Sequence, residues 1–139
     1  MKVISAKPII LSGSSLERGL QQALRKPELK PELCLAVRER LDMARDKLKD
    51  PYIDNFLSEQ LTFTKTHSPE SLDEINGIAE GYGISSEDLF TYLHLGAIDD
   101  YIGQEDGCSV FAVEKTSRGP VLAKNRDYLG AHKKLQQVF

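Results

Sequence analysis

The hydrophobic period of this chain changes near residue 107, and that change limits the folds open to it more than any other feature. From Leu16 to Ile98 apolar residues return at steps of three and four, the signature of helices with one buried face. Beyond Gly107 the pattern becomes strand-like. The runs Cys108–Glu114 and Pro120–Asn125 are rich in β-formers, and Thr116-Ser117-Arg118-Gly119 lies between them. That arrangement predicts a β-hairpin with a loop of about four residues. The expected class is α+β, with a mainly helical N-terminal part over residues 1–107 and a strand region over 108–139.

Punctuation within the helical part is explicit. Ser14 followed by Glu17 has the spacing of a capping box, with Leu16, Leu20, Ala23 and Leu24 on one face behind it. Pro27 and Pro31 close that helix and open the next, because proline is tolerated only in a first turn. The second helix is expected over Pro31 to Lys49, with Leu33, Cys34, Val37, Leu41, Ala44 and Leu48 inward. Asp50-Pro51 starts a third, burying Ile53, Phe56, Leu57 and Leu61. Ser68-Pro69-Glu70 starts a fourth with Leu72, Ile75, Ile78, Ala79 and Tyr82 inward and Gly83 as its stop. Ser85 to Asp88 caps the last, which carries Leu89, Tyr92, Leu93 and Ile98. Ahead of them all, Val3-Ile4-Ser5 and Pro8 to Leu11 are short β-prone pieces.

Charge and cysteine content exclude several functional classes. Among 139 residues there are 21 acidic and 18 basic ones, a net charge of −3, with both signs mixed along the chain. The basic pairs, such as Lys133-Lys134, are short, so nucleic acid is not an expected partner. The early apolar run Pro8-Ile9-Ile10-Leu11 is too short for a signal-peptide core or a membrane span, so a soluble, cytoplasmic protein is expected. Two cysteines, Cys34 and Cys108, without a tight Cys/His cluster suit neither a zinc site nor a disulfide framework.

Cys108 begins a strand, directly after glycine and a polar loop. One reading is a small hydrophobe at a strand edge. The other is a nucleophile released by cutting the chain before it: the thiol attacks the carbonyl of Gly107, and water cleaves the resulting thioester. Glycine leaves that carbonyl open and tolerates the strained backbone the attack requires. The freed α-amino group of Cys108, with an ordinary pKa near ~8, could then serve as base for its own thiol.

The segment Asp106-Gly107-Cys108-Ser109-Val110-Phe111, followed by Gly119-Pro120-Val121-Leu122-Ala123-Lys124-Asn125-Arg126-Asp127-Tyr128, resembles the nucleophile hairpin of the isopenicillin-N acyltransferase family. That family belongs to the N-terminal-nucleophile hydrolases and is related to penicillin V acylases and conjugated bile-acid hydrolases. Two upstream segments extend the likeness. Leu11-Ser12-Gly13-Ser14-Ser15-Leu16-Glu17-Arg18-Gly19 is similar to the family's opening Gly-x-x-x-Glu-x-Gly. Asp73-Glu74-Ile75-Asn76-Gly77-Ile78-Ala79-Glu80-Gly81 is similar to its Glu-Ile-x-Gly-Ile-Ala-x-Gly helix.

The resemblance implies a self-processing cysteine amidohydrolase or acyltransferase acting on N-acyl amides. Cys108 would be the nucleophile and Gly107-Cys108 the cleavage junction. Asp127 would hold the new α-amino group, and Asn125 would support the hairpin or the loop beside the thiol. Lys124 matches a position held by arginine in the bile-acid hydrolases and by a neutral residue in the acyltransferases; near the sulfur, its charge would favour thiolate. Strict alternation puts Lys124 and Asp127 on opposite faces, so both can face the thiol only if the strand bends or ends near Asn125. No cofactor is implied. The partner would be a small acyl amide, or an acyl-thioester donor.

The family's four-layer αββα sandwich needs more chain than the stretch from Cys108 to Phe139 supplies, so a truncated relative without turnover is expected. Either the helical part folds alone, or copies associate to cover the exposed hairpin. The competing functional class is a non-catalytic helical interaction module that retains the motif. Elsewhere the plain readings hold. His67, His94 and His132 are read as polar surface or capping groups, and Cys34 as core. Glu87-Asp88 and Asp99-Asp100 are read as helix-start or solvated acids, and Tyr82, Tyr92 and Tyr101 as core aromatics, with Tyr101 close enough to the junction to line a pocket.

Overall fold

A computed structural model describes residues 9–101, 108–115, 117 and 119–126 of the chain. Among the described residues, five α-helices precede a two-stranded antiparallel sheet. The helices are α1 (Ser15–Leu24), α2 (Lys30–Ala44), α3 (Pro51–His67), α4 (Pro69–Tyr82) and α5 (Ser86–Tyr101), and the strands are β1 (Cys108–Val113) and β2 (Val121–Arg126). Short 3₁₀ turns at Pro27–Leu29 and Lys47–Lys49 flank α2.

The start and stop signals act as the sequence predicts at most ends. The Ser14 side chain accepts from the Glu17 backbone N–H, and the Glu17 carboxylate accepts from the Ser14 N–H at 2.7 Å. Asp50 caps α3 by accepting from the Tyr52 N–H at 2.9 Å, with Pro51 in the first turn. Ser85 does the same for α5 through the Asp88 N–H. Gly83 ends α4 in the left-handed conformation (φ 69°), which only glycine adopts without a steric cost, and its N–H returns to the carbonyls of Ala79 and Glu80.

Other expectations are corrected. Residues 9–11 lie in no strand, and Ile10 is 80% exposed; the earlier piece, residues 3–5, lies outside the described residues. Ser68 precedes α4 without a side-chain cap, because its hydroxyl pairs with that of Ser71 at 2.7 Å. The helix expected to reach Lys49 stops at Ala44, where the chain tightens into a 3₁₀ turn before Pro51. The hairpin connection spans residues 114–120, longer than expected, with Ser117 and Gly119 bridged inside it.

The core lies where the end of α2, the start of α3 and the second half of α5 meet. Ala44, Ile53, Leu95 and Ile98 form its buried centre, with Leu41, Leu48, Phe56, Leu57 and Tyr92 packed around it. Ile98 is fully buried. A second contact joins α1 to α4, and it differs in kind because glycine and alanine make it. A Cβ built on Gly19 would stand 2.1 Å from the Glu74 carbonyl oxygen, and one on Gly77 would stand 2.1 Å from that of Leu16. The two backbones therefore touch. Ala23 and Ala79 are buried in the same helices, while Leu16 and Leu24, expected inward, are exposed.

Candidate functional site

β1 opens at Cys108, and the residue opposite it is Arg126. Pairing continues as Ser109 with Asn125, Val110 with Lys124, Phe111 with Ala123, Ala112 with Leu122 and Val113 with Val121. Directly opposed residues of an antiparallel pair share a face, and alternate residues along a strand share it too. Cys108, Val110 and Ala112 thus share a face with Arg126, Lys124 and Leu122. Asn125 belongs to the other face, with Ser109 and Phe111.

This register bears on the Lys124 half of the question of whether Lys124 and Asp127 share the Cys108 face; Asp127 lies outside the described residues. The strand neither ends nor slips at Asn125; pairing is regular through Arg126. Lys124 holds the Cys108 face, one diagonal step from the cysteine, and Asn125 does not. Gly107 and Asp127 lie outside the described residues, as do His132 and the Lys133-Lys134 pair. A further residue emerges that sequence reading passed over. Arg126 is directly opposite the candidate nucleophile, a relation that no single-strand pattern reveals because it depends on the loop length.

Where the side chains of the hairpin are described, they are open to solvent on both faces. Val110 is 59% exposed, and Val113 and Val121 are about as open to solvent as a surface residue. Among the described residues, the two strands make their extensive contacts with each other.

The two upstream segments that carried the family likeness prove to be partners in space. Gly13–Gly19 forms the entry and first turns of α1, and Glu74–Gly81 forms the body of α4. Glu74 accepts a hydrogen bond from the Gln22 side chain at 2.5 Å and pairs with Arg18 at 3.6 Å. Glu17 is committed to the cap of α1, and hydrogen bonds from the Ser14 backbone and hydroxyl hold its carboxyl below the ordinary value of 4.5. The work of these segments is therefore helix capping and close packing.

The remaining candidates have structural partners. Cys34 is half-buried on α2 and its Sγ–H donates to the Tyr82 carbonyl at 3.4 Å. His94 Nδ1 lies 2.8 Å from the Phe90 carbonyl one turn back, and the His67 ring lies against Phe63 with centroids 4.5 Å apart. Glu87 and Asp88 occupy the first turn of α5. Asp99 is instead paired with Lys47 at 2.6 Å, tying the 3₁₀ turn after α2 to α5. Tyr82 is buried, and Tyr92 lies partly buried beneath the Arg40 guanidinium.

A groove of about 420 Å³ runs among α3, α4 and α5, lined in part by Leu57, Leu61, Leu72, Ile75 and Phe90. Among the described residues no helix is long and apolar enough to cross a membrane. No family model, no curated protein and no solved structure matches the chain.

Proposed function

We propose that the chain carries the nucleophile hairpin of a self-processing cysteine amidohydrolase or acyltransferase acting on N-acyl amides. The observation that carries this reading is the position of Cys108, at the first paired residue of β1, immediately after Gly107 and across from Arg126, which precedes Asp127 in sequence. In self-cleavage the Cys108 thiol would add to the Gly107 carbonyl. The C–N bond would break as the nitrogen takes a proton, leaving a thioester on sulfur. Water would then release Gly107 as a carboxylate and Cys108 as an amine-bearing thiol. The same sulfur, with its own amine as base, would attack an acyl substrate. The ordered likeness of three segments across most of the chain supports the assignment.

Incubating the purified chain and recording its intact mass tests this. A fragment beginning at Cys108, absent in Cys108→Ala, is the expected result. A chain that stays whole under all conditions overturns it.

The second reading is a helical interaction module. The groove among α3, α4 and α5 favours it, since its size falls in the range of small-ligand sites and it owes nothing to the hairpin. An uncleaved chain with an unreactive Cys108 thiol is the outcome that reading expects.

A further inference from the structure

The groove among α3, α4 and α5 has an apolar floor and a charged rim. Leu57, Leu61, Leu72 and Ile75 are half-buried along it, and Phe90 is buried. Asp54, Ser58, Lys65, Asn76, Ser86 and Glu87 also line it and are exposed, while Thr91 is half-buried. A small-molecule site sets a few polar groups inside the pocket to fix the ligand's orientation. Here the polar groups stand at the edge. An amphipathic helix has the matching arrangement, an apolar stripe between polar flanks. The length agrees. Asp54 and Lys65 are eleven residues apart on α3 (65 − 54), so the groove follows that helix for three turns, about 16 Å. That is enough for a helix presenting residues i, i+3, i+4 and i+7.

We infer that this groove receives an amphipathic helix of a partner protein, with basic residues on the flanks of its apolar stripe. The inference rests on the interaction-module reading and names the partner which that reading leaves open. The rim carries two carboxylates, Asp54 and Glu87, against one ammonium, Lys65, in a protein whose net charge is −3. Among the described residues none of the three pairs with an opposite charge. Asp54 and Glu87 stand in the first turns of their helices and Lys65 in the last turn of α3, so each also complements a helix dipole. That role accounts for their signs, but not for an apolar trough left open between them. Covering the floor would supply the driving force. The two carboxylates would select cations on the flanks and set the helix in register, and Lys65 would weaken that preference at its own position.

The test titrates two synthetic helical peptides into the whole chain in its Cys108→Ala form, where processing cannot intervene. Each has about 14 residues and leucine at i, i+3, i+4 and i+7; one has lysine on its flanks, the other glutamate. Fluorescence anisotropy gives the affinities, and backbone amide shifts locate the site. The lysine peptide should bind more tightly than the glutamate peptide and shift the amides of Leu57, Leu61, Leu72, Ile75 and Phe90. Asp54→Asn combined with Glu87→Gln should weaken the lysine peptide about three- to tenfold, the effect of two exposed pairs. Lys65→Gln should tighten it about twofold. All three positions are exposed, and far-ultraviolet circular dichroism verifies that the variants stay folded. Equal affinity for the two peptides, no loss in the double variant, or amide shifts confined to other surfaces overturns the inference. So does binding of neither peptide, or a dimer by sedimentation that shifts the same amides, since the occupant is then a second copy. The reading beneath it is judged apart, on the parent chain. Cleavage before Cys108 removes the interaction-module reading, whereas an uncleaved chain that binds neither peptide refutes the basic helix alone.

Discussion

Gly19 on α1 and Gly77 on α4 stand in a reciprocal relation, each filling the place where the other helix's backbone passes. A methyl group on either would lie 2.1 Å from a main-chain carbonyl oxygen, which cannot rotate aside. Replacing a helical glycine with alanine ordinarily gains up to about 1 kcal/mol. Here the clash outweighs the gain, and Gly19→Ala and Gly77→Ala should each cost about 3 kcal/mol of stability, at the upper end of overpacking effects. The double variant should cost less than the sum, since helices already forced apart admit the second methyl. Urea unfolding followed by far-ultraviolet circular dichroism measures all three.

Gly96, in the middle of α5, gives the opposite expectation. Among the described residues nothing lies within 4 Å of a Cβ built there. Gly96→Ala should therefore stabilise the chain by about 0.5–1 kcal/mol, through helix propensity and a less mobile unfolded state. A loss of stability would mean that another part of the protein covers this face of α5.

Helix starts and stops were legible because each is a local signal: Ser14 with Glu17, Asp50 with Pro51, Gly83. The α1–α4 contact was not, because apolar periodicity weights leucine and ignores glycine. On α1 it favoured Leu16 and Leu24, whereas the packed face is Gly19 and Ala23. Leu93 departs from the predicted apolar stripe for a related reason. It follows Leu89 by one turn, but α5 meets α2, α3 and α4 along its length, so its covered side shifts between Leu89 and Ile98. The hairpin was legible in its strands and not in its register, because the turn chosen at Thr116–Gly119 was shorter than the connection over 114–120. That difference hid the pairing of Arg126 with Cys108.

Glu17 makes part of α1's stability depend on pH. Hydrogen bonds from Ser14 hold its carboxyl below the ordinary 4.5 in the folded chain. A depressed carboxyl contributes stability that is present above its unfolded value and disappears as pH falls through the folded one. Below about pH 4.5, therefore, the chain should lose stability that Glu17→Gln does not lose, the glutamine having no proton to take up. Thermal unfolding of both proteins across pH 3–6 checks the sign; parallel curves would remove Glu17 from the acid response.

Asp99 and Lys47 provide a tie between the turn after α2 and the end of α5, next to the fully buried Ile98. Their side chains are partly shielded, 22% and 30% exposed, and they stand 2.6 Å apart. An exposed pair of this kind is worth up to about 1 kcal/mol, and partial shielding puts this one near the top of that range. Asp99→Asn should cost about 1 kcal/mol at low salt and less in 1 M salt, where screening weakens the parent as well.

Ile98 and Leu93 offer the sharpest contrast on a single helix. Spacing places both on the apolar stripe, yet Ile98 is 0% exposed and Leu93 is 54% exposed. Ile98→Ala removes packed groups between Ala44, Ile53 and Leu95, where the surrounding helices can collapse only in part, so a loss of about 2–5 kcal/mol is expected. Leu93→Ala should fall within about 0.5 kcal/mol of the parent, as surface changes do. The second value carries more information. If Leu93→Ala proved as costly as a core change, α5 would have to be covered on its open side by another part of the assembly. The groove and hairpin readings would then have to be judged on that larger structure.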